Sequence, residues 1–238
     1  MADVRLDVTL SDGAKLSVWR CGSANGPRVV LSHGNGFSMN AFRQLVHAVA
    51  DWADVFAIDL RNHGDSAIGE LALHTQARLR LDMIELLSVL DNDYGEQPTY
   101  GFFHSISGLH ALYAELSHPG RFRRLVLLEP PVSPPAGHPL YDQQIAAQDA
   151  LVAGTLKRQD QFASVQALVD RLHGRPQFRY LTEQALEDYC RGILKPDGQR
   201  WVLRCPKEYE AQCYAQNLDD GFFARLREIS IPVLLVAS

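Results

Sequence analysis

The chain has 238 residues, 46% hydrophobic and 21% charged, enough for one large packed domain or two small ones. Its net charge of −5 and scattered basic residues argue against nucleic acid or an anionic membrane surface as a main partner, and no apolar run reaches the roughly 18 residues of a transmembrane helix. The start, MADVRLDVTL, lacks the basic segment and apolar block of a secretory signal, and Cys21, Cys190, Cys205 and Cys213 form no CxxC pair. A reduced, cytoplasmic protein without a disulfide or zinc framework is expected, and no metal or other cofactor is called for.

In chain order, Arg5 to Leu10 and Lys15 to Arg20 alternate polar and apolar residues around the turn Ser11-Asp12-Gly13, which predicts a hairpin. Val29-Val30-Leu31 reads as a buried parallel strand, and Phe42, Leu45, Val46 and Val49 mark a helix with Ser38 as its N-cap. Val55 to Ile58 is the next strand, and Leu79, Met83, Leu86 and Leu90 the next helix. Tyr100 to Phe103 is a strand, Leu109 to Leu116 a helix ended by Pro119-Gly120, and Leu125 to Leu128 a strand again. This rhythm predicts an α/β fold: a mostly parallel sheet with helices on both faces, its ligand at the carboxyl ends of the strands. From Val132 to about Leu218 the rhythm stops, and helices without clear strands are expected around Tyr141 to Leu156, Val165 to Leu172, Leu186 to Ile193 and after Pro206. It returns with a helix over Phe222 to Ile229 and a strand over Ile231 to Val236. The division is therefore 1–131 plus 219–238 as core and 132–218 as a helical insertion.

Three loops at strand ends carry the residues that could do chemistry. Ser105, in Phe103-His104-Ser105-Ile106-Ser107, sits where a strand turns into a helix; such a turn pushes the hydroxyl out and aims the Ile106 N–H at whatever binds. A serine there serves equally well as an N-cap. Ser32-His33-Gly34-Asn35-Gly36-Phe37 follows a buried strand, and the Asn35 N–H could be a second donor to an oxyanion; by itself the stretch is also an ordinary glycine-rich connection. The stretch from Asp59 to Ser66 reads as a structural loop supporting the nucleophile turn.

HGNGF, DLRNHGDS, HSISG and LVLLEPP, in that order and followed by a helical insertion, resemble the α/β-hydrolase superfamily over the whole chain. RPQFRYLTEQALEDYC and CPKEYEAQCY are similar to the caps of lipase-like members. The resemblance implies a serine-nucleophile, esterase-like hydrolase with Ser105 attacking an acyl bond and the N–H groups of Asn35 and Ile106 as the oxyanion hole. It makes Glu129, at the end of the next strand, a candidate acid, although a charged strand end explains that residue as well. A small molecule is the implied substrate, and Phe162, Phe178, Tyr180, Leu181 and Trp201 in the cap suggest an apolar acyl group, although packing in the cap's own core explains each of them as well. A serine-dependent C–C hydrolase or acyltransferase shares the fold, as does a non-catalytic binding protein. An epoxide hydrolase or dehalogenase would have aspartate in place of Ser105.

Two departures stand out. Phe103 occupies the place two before the nucleophile where the family prefers a small residue, so either a shifted turn or a small neighbouring residue in compensation is expected. All nine histidines fall between His33 and His173, and the chain stops at Ser238, before the family's usual positions for acid and histidine. A C-terminally truncated, nearly inactive chain follows as an expectation, with the final strand and helix missing. Ile231 to Val236 would then form an apolar edge open to self-association.

Overall fold

A computed structural model describes residues 3–237; Met1, Ala2 and Ser238, the outer limits given to the core, lie outside them. The hairpin is β1 (Val4–Thr9) and β2 (Lys15–Gly22), and then β3 (Arg28–Ser32), α1 (Arg43–Ala50), β4 (Asp54–Ile58), α2 (Gln76–Tyr94), β5 (Thr99–His104), α3 (Ile106–Ser117) and β6 (Arg124–Leu128) follow. The inserted stretch holds α4 (Tyr141–Lys157), β7 (Gln161–Phe162), α5 (Val165–Leu172), α6 (Glu183–Ile193), β8 (Leu194–Asp197), β9 (Arg200–Leu203) and α7 (Lys207–Ala215). After it come the single turn α8 (Phe222–Arg225), a 3-10 turn and β10 (Val233–Val236).

The main sheet runs β1-β2-β4-β3-β5-β6-β10, antiparallel at β1/β2 and β2/β4 and parallel from β4 onward. Strand alternation divides the core between its faces. Val29, Leu31, Val55 and Ala57 pack with Trp19 and Val46 on the α1 side. Val30, Phe56, Phe103 and Leu125 pack with Met83, Leu86, Leu109 and Leu112 of α2 and α3 on the other. The parallel strands β3 and β4 are thus buried on both sides throughout, which is why they read as continuous apolar runs. Among the described residues no helix is long and apolar enough to cross a membrane.

Three expectations are corrected. The inserted stretch is not purely helical: β7, β9 and β8 form a small antiparallel sheet. Ser38 does not cap a helix; it precedes a 3-10 turn, and its hydroxyl donates to Gly192 O at 2.7 Å, tying this loop to α6. The expected helix over Phe222 to Ile229 is one α-turn plus the 3-10 turn.

Phe103 does not shift the Ser105 turn. Its ring is fully buried, edge-on to Phe122, in space left by Gly101. A Cβ on Gly101 would meet that ring and lie 2.6 Å from a Leu125 methyl. The small residue is displaced two places back along β5, on the same face. Gly101→Ala should therefore lower stability by about 1–3 kcal/mol through overpacking, read as a lower urea midpoint with an unchanged slope.

Candidate active site

β5 ends at His104 and α3 begins at Ile106, so Ser105 makes the whole turn between them, with φ 55° and ψ −124°. A non-glycine residue held there costs about 1–3 kcal/mol, tolerated only where surrounding bonds impose it. They do. The Ser105 N–H donates to Leu128 O on β6 at 2.7 Å, and the Ser105 carbonyl accepts from the Gly108 N–H at 2.9 Å. The buried Ser107 hydroxyl lies 3.0 Å from Ser32 O and 2.9 Å from His104 O, pinning the turn to β3. The Ser105 side chain makes no capping bond to α3, which sets aside the alternative of a plain N-cap.

The loop after β3 lies directly over this turn. A Cβ on Gly34 would fall 3.1 Å from Ser105 Cβ and 2.7 Å from His104 Nδ1, so only glycine permits the approach. The loop is fixed from two sides. Asp59 accepts from the Met39 N–H at 2.7 Å and the Asp65 N–H at 2.9 Å. The Asn35 side chain donates to Glu210 O on α7 at 2.8 Å, and its Oδ1 meets His63 Nε2 at 3.2 Å. The Asp59 loop is structural, as expected, but what it holds is the loop above the serine rather than the serine turn itself. Among the described residues no acceptor takes the backbone N–H of Asn35 or of Ile106.

Asn35, Ser105 and Ile106 share the wall of one cavity of about 290 Å³. Its other walls are Pro131, Gln144, Ala147, Gln148 and Leu151, then Cys213, Tyr214 and Asn217; no charged side chain is among them. A larger open cleft of about 910 Å³ lies far from this chemistry, against Arg121, Arg123, Arg124 and Pro232 at the strands' opposite ends. The apolar lining expected from the inserted stretch is elsewhere. Phe162, Phe178 and Trp201 pack in its own core, Tyr180 is 84% exposed, and Leu181 also faces solvent. Glu129 is outside this wall as well: it is exposed at the end of β6, at φ 47°, its N–H donating to Val236 O at 2.9 Å.

No histidine among the described residues hydrogen-bonds the Ser105 hydroxyl. The His104 ring points from the other face of β5 and stacks on Phe37 at 5.6 Å. His33 takes the Leu60 N–H on Nε2 and meets Gly34 O with Nδ1, which makes it neutral. Asn62 uses Oδ1 for the Gly69 N–H and Nδ2 for His74 Nδ1, so His74 keeps its proton on Nε2 and offers it to Cys213 Sγ at 3.0 Å. Burial pushes the Cys213 thiol up, so it remains a neutral acceptor beside the cavity rather than a rival nucleophile. Glu210, against Gly36, is pushed up to about 7 by burial despite its ion pair with Arg158.

Sequence reasoning thus located the serine turn and the loop above it. It missed Gln144, Gln148, Cys213, Tyr214 and Asn217. The one available signal was Gln148, which sits seven residues after Tyr141, in step with the stripe of α4.

A family model described as alpha/beta hydrolase fold matches residues 27–238. Among solved structures, an E-2-(acetamidomethylene)succinate hydrolase is similar at 19% identity and TM-score 0.75, over 100% of this chain and 91% of that one. A thioesterase domain from the curacin biosynthetic pathway is similar at 18% and 0.73, over 99% and 82%. A hydrolase from Pseudomonas aeruginosa PA01 is similar at 24% and 0.69, over 98% and 80%.

The buried titratable groups make stability depend on pH. Burial lowers His33 to about 4 and His63, His74 and His110 to about 3, and it raises Asp59 to about 6 and Glu210 to about 7. Below about pH 6.5 the unfolded chain protonates four imidazoles that the fold keeps neutral, so their contribution is present above that pH and lost as it falls. The two acids act oppositely, since they are protonated in the fold and ionised when unfolded. Four against two leaves the unfolded state binding more protons, and stability falls with pH at about 1.4 kcal/mol per net proton per unit. The urea midpoint should therefore drop steadily between about pH 6.5 and about pH 5; a flat or rising midpoint would contradict these assignments.

Proposed function

The chain belongs to the alpha/beta hydrolase fold family, and on that premise we propose that it hydrolyses an ester-like or related acyl bond of a small molecule through Ser105. The observation that carries this is the strained Ser105 turn opening into the same cavity as Asn35 and Ile106, whose N–H groups have no acceptor among the described residues. In this reading Ser105 Oγ bonds to the acyl carbon while the carbonyl electron pair moves onto oxygen, and the serine proton passes through solvent to the leaving group. The Asn35 and Ile106 N–H groups hold that oxyanion, and its collapse expels the leaving group. Water then releases the acyl group from Ser105. Residues 132–218 act as a cap, with α4 and α7 forming the cavity's outer wall, and 1–131 with 219–238 as the core. The uncharged wall suits a neutral group around the reacting bond, a narrower statement than an apolar acyl chain. Glu129 is the acid of this reading, supported by its place at the end of β6.

The serine proton needs an acceptor, and among the described residues none is bonded to it. That observation favours a second reading, a binding protein that keeps the pocket without turnover. The two separate on one measurement. Incubated with p-nitrophenyl acetate, the chain should gain one acetyl group on Ser105 by intact mass, and Ser105→Ala should gain none. Without an imidazole on Oγ, turnover should lie about 10⁴ to 10⁶-fold below that of a complete triad. No adduct, or an adduct that survives Ser105→Ala, favours the binding protein.

The partner side of the proposal is self-association through β10. Leu234 and Leu235 are 59% and 64% exposed on this edge strand, which offers unpaired backbone groups to a second copy. Sedimentation should show concentration-dependent association that Leu235→Lys reduces.

A further inference from the structure

The most buried residues on the inward face of α4 are polar. Leu151 and Leu156 of this helix are about half exposed, whereas Gln148 and Thr155 are its buried residues. Gln148 is only 6% exposed, lines the cavity beside Ser105, and its Oε1 has no hydrogen-bond partner among the described residues. Leaving a buried amide oxygen unpaired forfeits its hydrogen bond to water with nothing in return, and at that position of an α-helix packed on α7 a leucine or methionine would avoid the cost altogether. The neighbouring polar groups do not relieve it. Asn217 donates to Pro131 O at 2.9 Å, and Asn35 is held by Glu210 and His63. An unpaired acceptor fixed in the wall of a ligand cavity is the arrangement by which a site selects a donor, because a ligand lacking that donor leaves the acceptor unpaired.

We propose that Gln148 is a specificity-determining residue whose Oε1 accepts a hydrogen bond from an N–H of the substrate, so that the preferred acyl group is short and carries an amide N–H. This rests on the reading of the cavity as the acyl site of Ser105. A cavity of about 290 Å³ is at the small end of ligand pockets, which sets the length. The absence of any charge in its wall excludes an ammonium as the better donor, since a buried cation would find no counter-charge.

The test uses two ligands of the same shape, N-acetylglycine methyl ester and methyl 4-oxopentanoate, which differ only in N–H against CH₂. Binding to the Ser105→Ala chain is measured by calorimetry, so that no chemistry is needed. The N–H ligand should bind about tenfold more tightly than the ketone. In Ser105→Ala/Gln148→Leu the ratio should fall to about one, with the ketone no weaker than before. The Gln148→Leu chain should melt at the same temperature or higher, because it loses an unpaired buried group; a structural glutamine would give a lower melt. Equal affinities in the Gln148 chain, a ratio that survives Gln148→Leu, or no binding of either ligand overturns the proposal. If the ratio behaves as expected while Ser105 takes no acetyl group, Gln148 keeps its role and the serine loses its own.

Discussion

The close approach of two loops at the carboxyl end of the parallel sheet governs everything else in this protein. The chain after β3 passes over the turn after β5 with no room for a single extra carbon at Gly34. Neither loop could hold that position alone. The β5 turn is forced to a positive φ by bonds from β6 and β3, and the β3 loop is held by the Asp59 carboxylate from β4. Four adjacent strands therefore contribute to one contact. The strain they impose is confined to strand ends: among the described residues the non-glycine positions at positive φ are Asn62, Ser105 and Glu129, each in the segment after a parallel strand.

The buried polar layer behind that contact explains why the loops keep one shape. His33, His63 and His74 lie ring to ring at 5.4 and 5.9 Å, their ring nitrogens meeting backbone groups, the Asn35 and Asn62 amides and the Cys213 thiol. Burial keeps all three uncharged. Neutral imidazoles can be packed with few water-exposed atoms, whereas three cations at these distances would repel strongly in a low-dielectric interior. The layer is scaffold, and its polarity serves to fix loop geometry where apolar packing could not satisfy the backbone groups of two irregular segments.

Much of this was legible in the sequence, and the physical reasons differ by element. Parallel strands buried on both faces must be apolar throughout, so β3, β4, β5 and β6 were visible as short runs, and the serine and glycine loops were found because they follow them. The small sheet escaped because Gln161-Phe162, Leu194 to Asp197 and Arg200 to Leu203 are too short to show alternation, and Pro196 argues against a strand. A small neighbour compensating for Phe103 was one of two expectations, but sequence alone did not say which residue it is; the side chain points into the core, where Gly101 makes the room. The cavity wall was illegible for a different reason. It is assembled from α4 and α7, whose sequences carry no motif, and α4 interleaves the polar Gln144 and Gln148 with the apolar Tyr141, Ile145 and Val152 on the face that it turns inward.

The amide of Asn35 is held by the carbonyl of Glu210, 175 residues later in the chain, and the carboxylate of that same residue lies against Gly36. At a synthesis rate of about 5–20 residues per second, roughly 9 to 35 seconds separate the emergence of the two partners. For that interval the sheet can assemble from its early strands while the loop over Ser105 lacks its last anchor. The nascent protein thus completes its scaffold first, and the corner around Ser105 closes only when α7 arrives.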